Sequence, residues 1–311
     1  MASIQTYDSQ SLTKSLEQRW NYIKDIFPCD DMPVVTDADK VPGNNSIISW
    51  DQETITAPSA ANKRVEGADY TYGGTSGSKL TNYVQEIMRG DKVTMLNQMS
   101  FHPGIGGTNA RVNRTKMLMM QTALLDLEWS MINGTKAIGA AATAAEMGGI
   151  KAFVPAAYTT TQTAKAITYN DDVTSGLSYV GILGKNWVLG GKLNRSLVNF
   201  TQKTARFDAF TVAGYQRNTN LADSGKGTAV LTYEKVMTAA GAVEIIPHTM
   251  VAAGEIVSYN KSYVKVIEVK AFDQDKDVAR TGSTIPVVVI GWYSCYVGNE
   301  AAVSKASGYT A

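Results

Sequence analysis

Apolar residues recur along this chain in two rhythms, and the rhythm changes with position. Between Ser11 and Phe27, Leu12, Leu16, Trp20, Ile23 and Phe27 follow one another at steps of four, four, three and four. That spacing places them on one face of a helix. Ser11 can cap its start, and Pro28 ends it because proline has no amide to continue the ladder. Such a face ordinarily packs against a core; the alternative use is an arm that docks on a neighbouring subunit. A stronger helical signal runs from Asn109 to Asn133, where Met117, Met120, Leu124, Leu127 and Met131 recur at steps of three and four. Leu118, Leu125, Trp129 and Ile132 widen the face, Asn109 can cap it, and Asn133-Gly134 supplies the stop. A helix of that length spans roughly 36 Å and predicts a spine for other elements.

The second rhythm is the alternation of strands. From Asp30 to Val65 the chain is punctuated by Pro33, Pro42 and Pro58 and reads as extended and turn-rich, with one short strand near Ile47 to Trp50. Gly67 to Gly107 is rich in Gly, Ser and Thr, with Gly73 to Ser78 the loosest part. Leu80 to Thr94 predicts a long strand broken at Gly90-Asp91. Two long strands joined by a Gly/Ser tip predict a β-finger over about Trp50 to Gly107. The Ala/Gly/Thr-rich stretch from Gly134 to Thr163 reads as a linker with at most a short helix. Asp171 to Leu183 reads as helical, Trp187 to Leu189 as a short strand, and Lys192 to Thr201 as a helix with Leu193, Leu197 and Phe200 on one side. Phe207 to Val212, Val230 to Val236 and Ala242 to Ile246 read as strands around a turn-rich stretch from Asn218 to Gly227. The C-terminal third is β-rich at Glu255 to Tyr259, Tyr263 to Val269 and Pro286 to Val297. In the last of these, Val287, Val289, Tyr293, Cys295 and Val297 face one way, and Val288, Ile290, Trp292 and Tyr296 the other. Two apolar faces predict a central strand in a covered sheet. The fold class is α+β, with no internal repeat.

Composition narrows the function. The 311 residues carry 29 Lys+Arg against 28 Asp+Glu, a net charge of +1, so no overall field exists for gripping nucleic acid. Only 18% of residues are charged, which suits a surface largely covered by partners. The two cysteines, Cys29 and Cys295, exclude a disulfide framework and predict a reducing compartment. No basic-then-apolar leader opens the sequence, and the apolar run from Ile285 to Gly298 is too short and too aromatic to span a bilayer, so no membrane partner is expected.

Chemistry motifs are tested and fail. Asp273 to Asp277 begins like a calcium loop, but Val278 stands where glycine must turn the chain and Thr284 where a bidentate glutamate is needed. Gly73 to Lys79 lacks the spacing of a phosphate loop, and Gly74 to Ser78 that of a nucleophile elbow. His102 and His248, the only histidines, each sit beside proline without a metal ligand nearby in sequence. No catalytic residue, cofactor or metal is expected. Arg111, Arg114 and Lys116 put cations at a helix start, against its dipole. A carboxylate from another segment or a phosphate backbone would explain them.

Short stretches spread over nearly the whole chain then line up with one family: Phe27 to Pro33, Ser49-Trp50-Asp51, Thr56-Ala57-Pro58, Glu66 to Asp69, Asn82 to Ile87, Asp126-Leu127-Glu128, Tyr263 to Phe272, Arg280-Thr281-Gly282 and Asn299 to Ala302. In order and spacing the chain resembles tailed-bacteriophage major capsid proteins with the Hong Kong 97-like fold, of the class without a long N-terminal scaffolding extension. A short Ala-rich linker and a Met-rich spine depart from the pattern.

The resemblance implies an N-terminal arm over 1–49, an extended β-loop over 50–107, a peripheral domain with the spine helix over 108–167, an axial domain over 168–241, and peripheral-domain strands with the C-terminus over 242–311. It implies pentamers and hexamers closing into an icosahedral head around double-stranded DNA, in a virion assembled in the bacterial host cytoplasm. Portal and scaffolding proteins are implied partners, with room for a decoration protein. Leu12, Leu16, Trp20, Trp50, Arg89 and Glu128 are the candidate contacts between copies, with a solvated helix residue as the plain alternative for Glu128. Arg111, Arg114 and Lys116 are the candidates for non-specific DNA contact on the inner face. Some relatives join subunits by a Lys-Asn bond; Lys79 is a conceivable donor, but no cross-link is expected. The rival readings are an encapsulin-like cellular nanocompartment shell and an enzyme with a β-rich binding domain.

Overall fold

The computed structural model of the chain describes residues 32–54, 63, 65–67, 69, 76–96, 110–166, 186, 191–205, 235–238, 241–280 and 282–310. In chain order these form helix α1 (Pro33–Asp37) and strands β1 (Asp39–Pro42), β2 (Ile47–Thr54), β3 (Ser76–Tyr83) and β4 (Gln85–Thr94). The long helix α2 (Ala110–Asn133) follows, then 3-10 turns at Ile150–Phe153 and Ala156–Tyr158. Next come β5 (Thr159–Ala166), β6 (Arg195–Val198), β7 (Lys235–Thr238), β8 (Gly241–Pro247), β9 (Ile256–Tyr259), β10 (Val264–Asp275), β11 (Thr284–Val297) and β12 (Val303–Thr310). A short helix covers 200–205.

The alternation in β11 sets the first sheet, of order β1-β10-β11-β4. Val287, Val289, Tyr293, Cys295 and Val297 are all buried; Tyr293, Cys295 and Val297 belong to the core cluster that also takes in Leu127 and Met131 of α2. Burying an aliphatic side chain of this size stabilises the fold by about 2 kcal/mol, so this face holds the helix on the sheet. The opposite face is only partly covered by its own chain: Val288 and Ile290 are half-buried, Trp292 is 40% exposed and Met88 60%. The central position expected for β11 is found; the second cover is absent among the described residues.

α2 is the expected spine, and its two halves differ. Ala123, Leu127, Met131 and Ile132 are buried, whereas from 111 to 122 only Thr115 is. Its end is a tight joint. The Gly134 amide donates to the Ser130 carbonyl at 2.9 Å, and the Gly149 amide donates to the Gly134 carbonyl at 2.9 Å. A Cβ on Gly149 would stand 2.5 Å from the Ser130 oxygen, so the chain can return here only because no side chain intervenes.

The second sheet has the order β5-β12-β9-β6-β8-β7. Its centre is short and dry: all four residues of β9 are buried, as are Ser196, Leu197 and Val198 of β6. The C-terminal region from 242 onward therefore feeds both sheets, β10 and β11 in the first and β8, β9 and β12 in the second.

Several sequence expectations change. Lys192 to Thr201 is a strand at Arg195–Val198, not a helix. Leu193 and Leu197 also satisfy a period of two, and Phe200, which helical spacing would have buried with them, is 71% exposed. The stretch from Gly134 to Thr163 is largely exposed over 135–144, as a linker would be, but becomes packed chain from Met147, where Met147 and Ile150 are fully buried. Gly90-Asp91 does not break β4; the ladder runs on, with Gly90 opposite Val288, and the interruption falls at Val84. The expected elements at 11–27, 171–183, 187–189 and 207–212 lie outside the described residues.

Candidate functional site

The sequence resemblance implies a shell subunit that works through segments reaching beyond its body, so the points where the described chain meets those segments are the candidate site. Among the described residues, β2 and β3 pair only with each other, from Ile47 opposite Tyr83 to Thr54 opposite Ser76. An isolated two-stranded ribbon is marginal in water, so its root must be fastened. Asn82 does this. It is fully buried, and its amide nitrogen donates to the carbonyls of Gly148 at 2.9 Å and Cys295 at 2.7 Å. Its oxygen accepts from the amides of Gly148 at 2.7 Å and Tyr83 at 2.9 Å. One side chain thus ties the ribbon to β11 and to the chain returning from the spine, with every donor and acceptor used. Around it, the Ser294 hydroxyl donates to the Tyr83 carbonyl at 2.9 Å, and the Lys136 ammonium to the Thr81 hydroxyl at 2.8 Å. Trp50 packs on Tyr296 and Phe153, with centroids 4.7 and 5.6 Å away.

The second root is α1, the first described element after residues 1–31. Its N-cap residue, Met32, has no side-chain oxygen to offer its amides. Glu128 supplies the cap from the middle of α2: its two carboxylate oxygens accept from the Val34 and Val35 amides at 3.0 and 2.8 Å. Glu128 is 0% exposed and His248 2%. His248 Nδ1 accepts from the Met250 amide at 3.1 Å, so in the neutral ring the proton sits on Nε2, 3.4 Å from Glu128 Oε1. At the other end of α1, Asp37 pairs with Arg195 Nε at 2.7 Å, and Arg195 also pairs with Glu244 of β8. Burial, with Asp37 and Glu128 close by, pushes the Tyr259 hydroxyl well above the usual tyrosine range.

A third cluster closes the end of the spine. Lys151 donates to Asn133 Oδ1 at 2.7 Å and pairs with Glu255, whose other oxygen lies 3.3 Å from Lys305. Burial pushes the Glu255 carboxyl up, but Lys151 and Lys305 outweigh it and hold the group below the ordinary carboxylate range. A depressed folded-state value means stability that is present above the unfolded value and lost as pH falls through the folded one. The Tm difference between wild type and Glu255→Gln is therefore expected to hold at neutral pH and shrink below about pH 4, where carboxylates protonate. Solvent screening limits the effect to about 1 kcal/mol.

The expected contact residues are distributed unevenly. Leu12, Leu16 and Trp20 lie outside the described residues, as do Cys29 and His102. Trp50 is half-buried against its own chain. Arg89, expected to contact a neighbour, forms a two-point pair with Asp126 on α2, one arm at 2.7 Å. The hydrogen bond and charge of Asp126 raise the Arg89 pKa further, and Arg89 stays half-exposed. Glu128 is corrected outright: it is neither a solvated residue nor available to another copy, since both its oxygens are engaged inside the chain. Lys116 lies 3.8 Å from Asp273, the carboxylate answer to its place at a helix start, and Arg111 and Arg114 are half-buried. Lys79 stands opposite Asp51 in the ribbon.

Sequence reasoning missed Asn82 and Arg195 as individual residues, and it read His248 only as a histidine beside proline, not as the neighbour of Glu128. Asn82 does open one of the matching stretches, Asn82 to Ile87.

Among the described residues, no group of three or more His, Cys, Asp or Glu is placed to hold a metal, and no helix is long and apolar enough to cross a membrane. Burial pushes the Cys295 thiol up to about 12. Cys295 is expected to resist iodoacetamide in the folded protein and to react fully after unfolding, read by peptide mass spectrometry. A groove of about 480 Å³ runs between the β1–β2 turn and β10, walled by Val41, Ile47, Ile48, Ile267 and Tyr296 with Lys265 at its side. Its lining contains no nucleophile paired with a base.

No curated protein matches the sequence. Solved structures share the fold at low identity. The chain is similar to the capsid of Myoviridae phage XM1, with 12% identity, 95% of this chain and 97% of that one covered, and a TM-score of 0.61. It is similar to the holo-SrpI encapsulin complex from Synechococcus elongatus, with 11% identity, 96% and 95% covered, and a TM-score of 0.60. Mycobacterium phage Bobi gives 12% identity, 97% and 99% covered, and a TM-score of 0.57. The family model of the SU10 major capsid protein matches residues 5–310, which takes in both roots, the spine and both sheets. The chain therefore belongs to the SU10 major capsid protein family: it is a Hong Kong 97-like shell subunit of a phage virion that assembles with its own copies, a structural protein and not an enzyme.

Proposed function

We propose that copies of this chain assemble as pentamers and hexamers into an icosahedral head that encloses double-stranded DNA. The observation that carries the reading is the ribbon of β2 and β3. Its root is fastened by a fully used buried asparagine, yet among the described residues its strands pair with no other strand. Such a ribbon is built to be held by something outside its own subunit. The half-covered faces of β11 and of the first half of α2 are surfaces of the kind a neighbour would cover. Contacts of this type are heterologous: unlike surfaces meet, and curvature decides whether the ring closes. Repetition over many copies makes a stable shell from modest contacts.

In this reading 1–49 is the arm, 50–107 the extended loop, 108–167 the peripheral domain with the spine, 168–241 the axial domain, and 242–311 the returning strands and C-terminus. Leu12, Leu16 and Trp20 contact a neighbour, and Trp50 and Arg89 set the angle at which the loop leaves. Arg111 and Arg114, with Lys116 partly neutralised by Asp273, meet DNA without sequence preference. The near-zero net charge keeps the wall from trapping the genome by counterion release. Portal and scaffolding proteins start and shape assembly in the bacterial cytoplasm, and a decoration protein is compatible with the outer surface.

The encapsulin likeness keeps an encapsulin-like nanocompartment as the second reading. Electron microscopy and nuclease digestion of particles from cells making the chain with its portal and scaffold separate the two. Uniform shells holding nuclease-resistant DNA support the head. DNA-free shells that retain a cargo protein support the compartment. A persistent monomer refutes both.

A further inference from the structure

α1 is too short to be stable alone, and it is gripped at both ends by different parts of the fold. Glu128 holds its first amides to the middle of the spine, and the same carboxylate lies against His248, just after β8. Asp37, its last residue, is held by Arg195 of β6, which is held in turn by Glu244 of β8. Between these grips Val34 and Val35 are buried in the core cluster that contains Leu127, Leu197 and Tyr259. α1 is therefore bonded to the spine, which packs on the first sheet, and to the second sheet, and residues 1–31 connect directly to it.

We propose that α1 is a coupling element: the load that the arm carries when it docks on a neighbouring copy passes through Glu128 to the spine and through Asp37 and Arg195 to the second sheet, so that arm docking biases the relative placement of the two sheets. This rests on the reading of residues 1–49 as an arm that contacts another copy. The physical basis is that a buried carboxylate with both oxygens engaged, as at Glu128, and a partly buried ion-pair network, as at Asp37, Arg195 and Glu244, have few alternative arrangements. A displacement of α1 must move its partners with it or leave charges unpaired. The spine and the second sheet would then sense the same event at the two ends of one helical turn. A subunit whose arm is free and one whose arm is docked would present different curvature to the ring.

The test is a set of double-mutant cycles on assembled shells, reading the denaturant midpoint of dissociation by light scattering. The arm changes are Leu12→Ala and Trp20→Ala, the coupling change is Arg195→Met, and Asp37→Asn is the second coupling variant should Arg195→Met not fold. Each single change is expected to lower the midpoint. Each arm–coupling pair is expected to lower it by less than the sum of the two single shifts, because with the second-sheet grip cut the arm can pass load to the spine alone. Both arm positions must behave alike, since a direct contact with Arg195 would favour one. Additive shifts overturn the coupling while leaving the arm reading intact. No shift from either arm change overturns the arm reading, and the coupling with it.

Discussion

Replacing Asn82 by leucine is expected to abolish shell formation and to destabilise the isolated subunit by about 4 kcal/mol, from the cost of leaving buried polar groups unpaired. The side chain is fully buried and makes four hydrogen bonds, so the change strands the amides of Gly148 and Tyr83 and the carbonyls of Gly148 and Cys295 together. A folded domain has about 5–15 kcal/mol in hand, so the subunit should still fold in the cold and fail near growth temperature. Urea denaturation of the unassembled subunit measures the stability, and electron microscopy the shells. Asn82→Asp separates the two halves of the role. It keeps the acceptor toward Gly148 and Tyr83 but turns a carboxylate oxygen toward two carbonyls, and it too should fail. A wild-type midpoint for Asn82→Leu would mean that the ribbon's root is held by Trp50 and Ser294 instead.

Glu128→Ala is the second large effect, expected to cost about 3–5 kcal/mol, from leaving two buried amides without their charged acceptors. It strips the cap from α1 and leaves the Val34 and Val35 amides without their acceptors. Glu128→Gln retains one carbonyl acceptor and should cost about half as much, since charge-assisted bonds are roughly twice as strong as neutral ones. The measurement is again urea denaturation, with hydrogen exchange at the Val34 and Val35 amides as the local readout. Their protection should fall further than that of β11. Unchanged exchange at these two amides would show that α1 does not depend on the carboxylate.

The parts of this fold that were legible in the sequence are those where one physical signal dominates. Met117 to Met131 keeps helical spacing over the spine, and the alternation of Val287 to Val297 carries the central strand. β12 was not legible, because Val-Ser-Lys-Ala-Ser-Gly-Tyr-Thr has neither a run of branched residues nor a clear alternation. Its Ser304 and Ala306 are buried by the strands on either side rather than by their own hydrophobicity. β5, almost all Thr, Ala and Gln, failed to show for the same reason. β6 was mistaken for a helix because steps of four satisfy both periods. At the site, Trp50 and Arg89 were legible as residues but not as to what they touch. Glu128 could have been read more closely: it falls at helical spacing between Leu124 and Met131, on the apolar face of the spine, where a carboxylate needs buried donors. No sequence pattern names those donors as the amides of a helical turn more than ninety residues earlier.

The central claim is that this subunit is completed by its copies, with the ribbon rooted in one molecule and supported by another. A cryo-EM reconstruction of the assembled shell, traced through residues 47–83, tests it most directly. The account requires the ribbon beyond Trp50 to lie against an adjacent subunit, across its spine or the Met88–Trp292 face of its first sheet. A ribbon folded back onto the spine and β11 of its own chain, with that face left bare between subunits, would contradict it.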